Sequence, residues 1–284
     1  MRRAIGIGLV IGACASLGPA AGALPRDPRL HEVQSFAFAI GTDAGTLGHL
    51  ERLAEYDLVV LDGVDAPTPL VDGLRARGVL VLAYLSVGTI ETGRPWSAEA
   101  RPYRLERWTD WREWYADVAA AAFRKLLTND VAPSLLARGF DGIFLDNVDM
   151  VADHPRQRDG MYTLVRDLAG LVHSDGGFLF AQNGDDVVVP VLDVLDGWNR
   201  EDVTLTYDFD TDRYERVRAP DARRAERALR RIGGAGLLVS ATDYSQRARS
   251  PRVDDAISRA CAAGAIPFVS DLELDRVPAP VPCG

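Results

Sequence analysis

A chain of 284 residues that is 47% hydrophobic and 26% charged has the composition of a folded globular protein, which excludes a disordered or fibrous one. Its formal charge of −9, from 32 basic against 41 acidic residues, argues against a nucleic-acid partner and favours neutral or cationic ones. The basic set is a single lysine, Lys125, and otherwise arginine, which reads as codon bias rather than function.

Arg2 and Arg3 open the chain, and an apolar run from Ala4 to Leu17 follows. Ala21-Gly-Ala23 then precedes Leu24-Pro25, the layout of a secretory signal with cleavage expected near Ala23. The run is too short for a membrane span of about 20 residues. Ile11-Gly-Ala-Cys14 also resembles a bacterial lipoprotein box, so a lipid anchor at Cys14 is the alternative. The expected organisation is a signal over 1–23 and one domain over 24–284, secreted or periplasmic. Export leaves Cys261 and Cys283 as an even pair in an oxidising compartment, and a disulfide between them would pin the proline-rich tail to the last helix. A buried thiol at Cys261 and a free one at Cys283 are the alternative.

Apolar runs bounded by glycine or acid predict strands over 35–41, 57–62, 79–86, 142–146, 178–183, 195–201, 237–241 and 266–270. Helices are expected between them: Pro69–Arg77 closed by Gly78, Trp111 to about Leu127 capped by Asp110, Gln157–His173, an arginine-rich stretch capped by Asp221 and ended by Gly233-Gly234, and Val253–Ala263. Eight short strands alternating with helices imply a parallel sheet, and about 260 mature residues is the usual size of a single (β/α)8 TIM barrel, an α/β fold. No G-x-G-x-x-G follows the first strand, so an open dinucleotide-binding sheet lacks its fingerprint.

In such a barrel the chemistry sits where strands exit. The exits here carry Asp43; Asp62 and Asp65; Glu91; Asp146, Asn147 and Asp149; Asn183, Asp185 and Asp186; Glu201; Asp243 and Tyr244; Asp271 and Glu273. No lysine or histidine joins them, which removes Schiff-base chemistry and a histidine-bound zinc; no metal or cofactor is expected. Two carboxylates facing one cleft suit glycosidic-bond cleavage. Asp65, Asp185, Asp186, Asp271 and Glu273 read as caps or solvated acids. Asp146 differs, because it directly follows Ile143-Phe-Leu145 and by period two shares a face with Gly142 and Phe144. Asp43, Asp62 and Tyr244 are expected to contact substrate. Trp108, Trp111 and Trp114 recur every third residue and are read as packing a helix on the barrel. Trp96 and Tyr103 are the better sugar platforms, and 202–220 is a charged loop, either a lid or a solvated insertion.

Gly139-Phe-Asp-Gly-Ile-Phe-Leu-Asp-Asn-Val-Asp149 resembles the G-F-D-G-x-F-L-D-x-x-D signature of glycoside-hydrolase family 114, the endo-α-1,4-polygalactosaminidase-like barrels. Tyr84-Leu-Ser-Val-Gly88, Gln182-Asn-Gly184 and Leu195-Asp-Gly-Trp-Asn-Arg-Glu201 are similar to its strand-three, strand-five and strand-six ends. The resemblance implies that Asp146 and Glu201 are the catalytic carboxylates, as nucleophile and acid/base of a retaining mechanism. It implies that Tyr84, Asp149 and Asn183 line the sugar site. Where the family carries a glutamate soon after Y-L-S-V-G, this chain has Thr89, with Glu91 two residues on. The implied activity is hydrolysis of an α-1,4-linked galactosamine-containing polysaccharide, and the chain is separately expected to be a monomer. A non-catalytic polysaccharide-binding barrel and a hydrolase of a different glycan are the alternatives.

Overall fold

The computed structural model describes residues 27–283. The signal and the Cys14 box lie outside the described residues. Eight parallel strands form a nearly closed barrel: β1 (Phe36–Ala39), β2 (Leu58–Asp62), β3 (Leu80–Ser86), β4 (Gly142–Asp146), β5 (Phe178–Gln182), β6 (Gly197–Glu201), β7 (Leu238–Tyr244) and β8 (Ile266–Ser270). They pair in sequence order from β1 to β8. At the seam between β8 and β1, Phe36 packs edge-on against Phe268 at 6.2 Å. Phe38 and Phe144 meet at 5.0 Å inside, and Tyr84 stands 6.1 Å from Phe38. The barrel is therefore filled with aromatic side chains that support the residues at its carboxyl end.

Two Asp-Gly pairs explain how strands enter this barrel. Asp141 takes the Val81 amide on its carboxylate and donates its own amide to the Val81 carbonyl, and its carbonyl accepts from Phe178. Asp196 likewise takes the Leu179 amide on its carboxylate, and its carbonyl accepts from Leu238. Each aspartate thus ties the base of its strand to both neighbours. The glycine that follows is forced by crowding: a Cβ on Gly142 would lie 2.0 Å from the Phe178 carbonyl, and one on Gly197 2.0 Å from the Phe180 ring. Much of the family-like signature is thus structural, and only its last residues reach the cleft.

Helices Thr68–Arg75, Arg158–Ser174, Ala219–Gly234 and Pro251–Ala262 cover the outside. The arginine-rich one starts at Ala219 with Arg218 at its N-cap, three residues before the start expected from a cap at Asp221. The helix expected over Trp111–Leu127 is absent from most of that span. Arg104–Trp108 and Glu113–Ala116 form an antiparallel hairpin joined by Thr89–Ile90, and the helix begins only at Ala121. Asp110 lies in the hairpin turn, where Arg112 takes φ of 59°. Aromatic residues favour strands, and here Trp108 stacks on Tyr115 across the pair at 5.6 Å. The 202–220 loop also holds a hairpin, Leu205–Asp208 with Arg213–Arg216.

Cys261 and Cys283 form the expected disulfide across 22 residues. The tail it holds also accepts a bond from the Tyr56 hydroxyl at the Pro278 carbonyl. Cys283→Ser is expected to lower unfolding free energy by about 3 kcal/mol through the entropy of the unlooped denatured chain. Urea denaturation of the oxidised protein against the variant measures this, and equal stability contradicts it.

Candidate active site

The carboxyl ends of the strands and the loops that leave them line one cleft of about 350 Å³. Tyr84, Asp146, Glu201 and Tyr244 come from β3, β4, β6 and β7, and each lines that cleft. Asp149 and Asn183 line it from the following loops.

One side chain joins the two central carboxylates. Gln182 Nε2 donates to Asp146 Oδ1 at 3.1 Å and to Glu201 Oε2 at 2.8 Å. Two bonds meeting at one nitrogen keep those oxygens within about 6 Å of each other. The direction of the Gln182 amide is fixed from below. Asn199 donates to Gln182 Oε1 at 2.9 Å, and the side-chain carbonyl of Asn199 is held by the Ser240 and Thr242 hydroxyls at 2.8 and 3.1 Å. Gln182 can therefore present only its N–H groups to the pair. It ends β5 on the face of Phe180, and that period-two position was the available signal for it.

Each carboxylate has further donors. Asp146 accepts from the Tyr84 hydroxyl at 2.6 Å, from the Asn147 amide N–H at 2.7 Å and from Asn147 Nδ2 at 3.2 Å. Glu201 accepts from Asn183 Nδ2 at 2.8 Å and from the Tyr244 hydroxyl in a short contact. Asn183 in turn takes the Glu201 amide on its Oδ1. Asn147 and Asn183 both hold left-handed backbone, at φ of 59° and 57°, a conformation asparagine tolerates better than most residues. Trp198 is fully buried and donates to the Asn183 carbonyl, so it supports the site from behind.

Burial dominates the electrostatics. It pushes the Glu201 carboxyl up to about 8, with the Asp146 charge adding to it. It also raises Asp146, against which the Tyr84, Asn147 and Gln182 donors act. Burial and then the Asp146 charge lift Asp149 to about 7. Tyr84 and Tyr244 are held well above the ordinary phenol value by burial and by their carboxylate neighbours, so both remain donors.

The other expected contacts divide. Asp62 lines the cleft, but both its oxygens are engaged by Arg94, at 2.9 and 2.7 Å, and one also takes the Val64 and Asp65 amides. Burial pushes Asp62 up, and Arg94 together with the Asp65 and Val64 amides more than offsets this and holds it below the usual range. Arg94 also binds Glu91 bidentately. Asp43 is not among the cleft-lining residues; its backbone amide is tied to Asp275. Trp96 and Tyr103 pack on the core, whereas Trp108 and Trp111 form a cleft wall, the reverse of the expectation. Glu273, read as a solvated acid, lines the cleft, and Asp271 caps the Asp275 and Arg276 amides. Arg94, Glu113 and Gln182 are cleft residues that sequence patterning did not single out. No group of acids, histidines or cysteines among the described residues has a metal-binding arrangement, and no described helix is long and apolar enough to cross a membrane.

The fold that carries this cleft has solved counterparts. The glycoside hydrolase domain of PelA from Pseudomonas aeruginosa superposes with a TM-score of 0.73 at 25% identity, over 86% of this chain and 97% of that one. Ega3 of Aspergillus fumigatus, solved as a complex with galactosamine, superposes at 0.67 and 16% identity, over 91% and 98%, a likeness of fold. An uncharacterised protein of Deinococcus radiodurans is 26% identical over 89% of this chain and 85% of its own. The sequence model of glycoside-hydrolase family GH114 matches residues 20–280, so it takes in both Asp146 and Glu201 and nearly every element that builds the cleft, and the chain belongs to that family.

Proposed function

We propose that this glycoside hydrolase cleaves an α-1,4-linked galactosamine-containing polysaccharide with retention, using Asp146 as nucleophile and Glu201 as acid/base, and that it does so outside the cytoplasm. The observation that carries the reading is the shared Gln182 nitrogen. A separation of about 5–5.5 Å between carboxyl groups suits direct attack, whereas about 6.5–9.5 Å leaves room for an intervening water. Two carboxylate oxygens bonded to one nitrogen, and so within about 6 Å of each other, support the closer class.

The protonation states suit these roles. With its carboxyl raised to about 8, Glu201 carries a proton at neutral pH. Its Oε2 already accepts from two amides, so the proton sits on Oε1 beside the Tyr244 hydroxyl. Asp146 is surrounded by donors that favour its ionised form. In the first step the Asp146 carboxylate bonds to the anomeric carbon as the glycosidic C–O bond breaks, and the leaving oxygen takes the Glu201 proton. In the second, Glu201 accepts a proton from water, the water oxygen bonds to the anomeric carbon, and Asp146 leaves as carboxylate.

The cleft's acids and the galactosamine held by Ega3 support a cationic amino sugar as the repeating unit. The disulfide and the basic-apolar start of the chain support export. Incubation with acetylated and with de-N-acetylated α-1,4-galactosamine polymer should release oligosaccharides from at least one; intact polymer in both contradicts the reading. Activity is expected to fall as pH rises through about 8, as Glu201 loses its proton. A pH profile whose activity is maintained to about pH 10 assigns the acid elsewhere. Trp111→Ala should raise KM for polymer by roughly tenfold through loss of ring stacking, which steady-state kinetics measures.

A further inference from the structure

On the side of Asp146 away from Glu201, four polar groups form a connected file, in which Asn147 Nδ2 also reaches Thr89 Oγ1 at 3.4 Å and the Thr89 amide donates to Ser86 Oγ at 3.3 Å. The Asn147 side-chain amide gives one N–H to Asp146 Oδ2 at 3.2 Å and the other to Ser86 Oγ at 3.0 Å. Ser86 Oγ lies 2.6 Å from Thr89 Oγ1, and Thr89 donates to Glu113 at 2.5 Å. Ser86 and Thr89 are buried, so water does not compete for these bonds. Thr89 has one hydroxyl proton, and it goes to Glu113. Ser86 must then donate to Thr89, which leaves Ser86 only lone pairs to offer Asn147. An ionised Glu113 therefore fixes the polarity of the whole file, and Asn147 turns its NH2 to Ser86 and Asp146. A protonated Glu113 can itself donate to Thr89. Both hydroxyls then reverse, and Ser86 points its proton at an Asn147 side chain that must present its carbonyl instead. The Asn147 backbone does not move with it, because its amide N–H is bonded to Asp146 Oδ1 and a Cβ on Gly88 would fall 1.9 Å from its carbonyl.

We propose that Glu113 is a positioning residue for Asp146, acting through Thr89, Ser86 and Asn147, and that its charge state decides whether the Asn147 side chain supports the Asp146 carboxylate. The kinetic consequence rests on Asp146 being the nucleophile. Glu113 reaches the site from the hairpin strand that pairs with Thr89–Ile90, and it lines the cleft, where it exchanges protons with solvent. Burial pushes it up to about 7, with the Glu91 and Asp146 charges adding and Thr89 and Arg94 opposing. The titratable groups facing it are Glu91 and Arg94 from the loop after β3, Tyr84 from β3 and Asp146 from β4. Arg94 is bonded to Glu91 and Asp62 and stays charged throughout.

The test separates the file from a through-space effect of the same charge. The Asp146 side-chain carboxyl carbon is followed by NMR against pH in the wild type, in Glu113→Gln, in Thr89→Val and in Ser86→Ala. The wild type should show an inflection near pH 7 that Glu113→Gln lacks, over and above any part from Asp149, which burial and the Asp146 charge also push up to about 7. Thr89→Val, which cuts every path from Glu113, should lose it, and Ser86→Ala, which leaves only the 3.4 Å contact between Thr89 and Asn147, should weaken it, although Glu113 still titrates in both. A Glu113-dependent inflection that persists undiminished in either variant, or is absent from the wild type, overturns the proposal. In kinetics, Glu113→Gln keeps an acceptor for Thr89 without a titrating group, so the acidic limb of kcat should move down by about one pH unit. An unmoved limb, or a change in KM alone, also overturns it. Because the NMR readout needs no turnover, a wild type that cleaves no galactosamine polymer yet shows the inflection and its loss defeats the catalytic reading and leaves the file standing.

Discussion

Asp146→Asn and Glu201→Gln should each cut turnover of the true substrate by roughly a thousandfold or more while the barrel stays folded. The amide in each variant keeps the shape: its oxygen can accept from Gln182, and its NH2 can donate to the tyrosine oxygen that faced the other carboxylate oxygen. What disappears is chemistry: an amide at position 146 is not a nucleophile, and an amide at position 201 has no acidic proton to give. Stability should hold or rise. Both carboxyls are raised by burial, which means the native protein tolerates a charged form it would rather keep neutral. Thermal melting beside initial rates measures both halves. A variant that retains near-normal rate removes that residue from the pair. One that is inactive because it melts far lower leaves a structural role instead.

The second large effect is on stability against pH, and its sign runs opposite to ordinary acid unfolding. Glu113, Asp149 and Asp243 are pushed up to about 7 and Glu201 to about 8, in each case first by burial. Asp243 reaches that value even though it accepts the Thr204 and Leu205 amides. In the unfolded chain these groups titrate near the usual carboxyl value of about 4. Between there and about pH 8 the native state binds more protons, so stability is fully present below the lower limit and falls as pH rises through the upper one. His173, raised by its bond to Asp196, loses its contribution in the same direction. Asp27, Asp62 and Asp193 are lowered by arginine contacts, and their contribution is lost only as pH falls below the usual carboxyl range. Tm should therefore be higher at about pH 5 than at about pH 8, by on the order of 10 °C for a net difference of a few kcal/mol. A flat or rising Tm across that window contradicts the burial of ionisable groups beneath the cleft.

The barrel was legible because its strands are short apolar runs punctuated by glycine and acid, and a parallel sheet covered on its outer face and packed inside demands such runs. Asp146 was legible for the same reason: a charged residue still in phase with Phe144 has no ordinary structural role. The hairpin at Arg104–Ala116 was not, because tryptophans at every third position imitate a helix face, and only cross-strand stacking of Trp108 on Tyr115 reveals the alternation. Gln182 stayed hidden in role, since an amide at a strand end takes its meaning from Asn199 beneath it, 17 residues away in the chain. Asp62 shows the converse. Its position at a strand exit was readable, but the arginine that occupies it lies 32 residues on, in a loop with no period to betray it. Sequence patterning locates strand ends; it does not say which polar groups there satisfy one another.

If Asp146 attacks and Glu201 protonates within one closely spaced pair, the stereochemistry of the product follows. The most direct test is proton NMR of the first products released from an α-1,4-galactosamine polymer, read before mutarotation mixes the anomers. The α-anomer should appear first, because two displacements at the anomeric carbon restore its configuration. A β-anomer formed first would mean a single displacement by water, and Asp146 would not be the nucleophile.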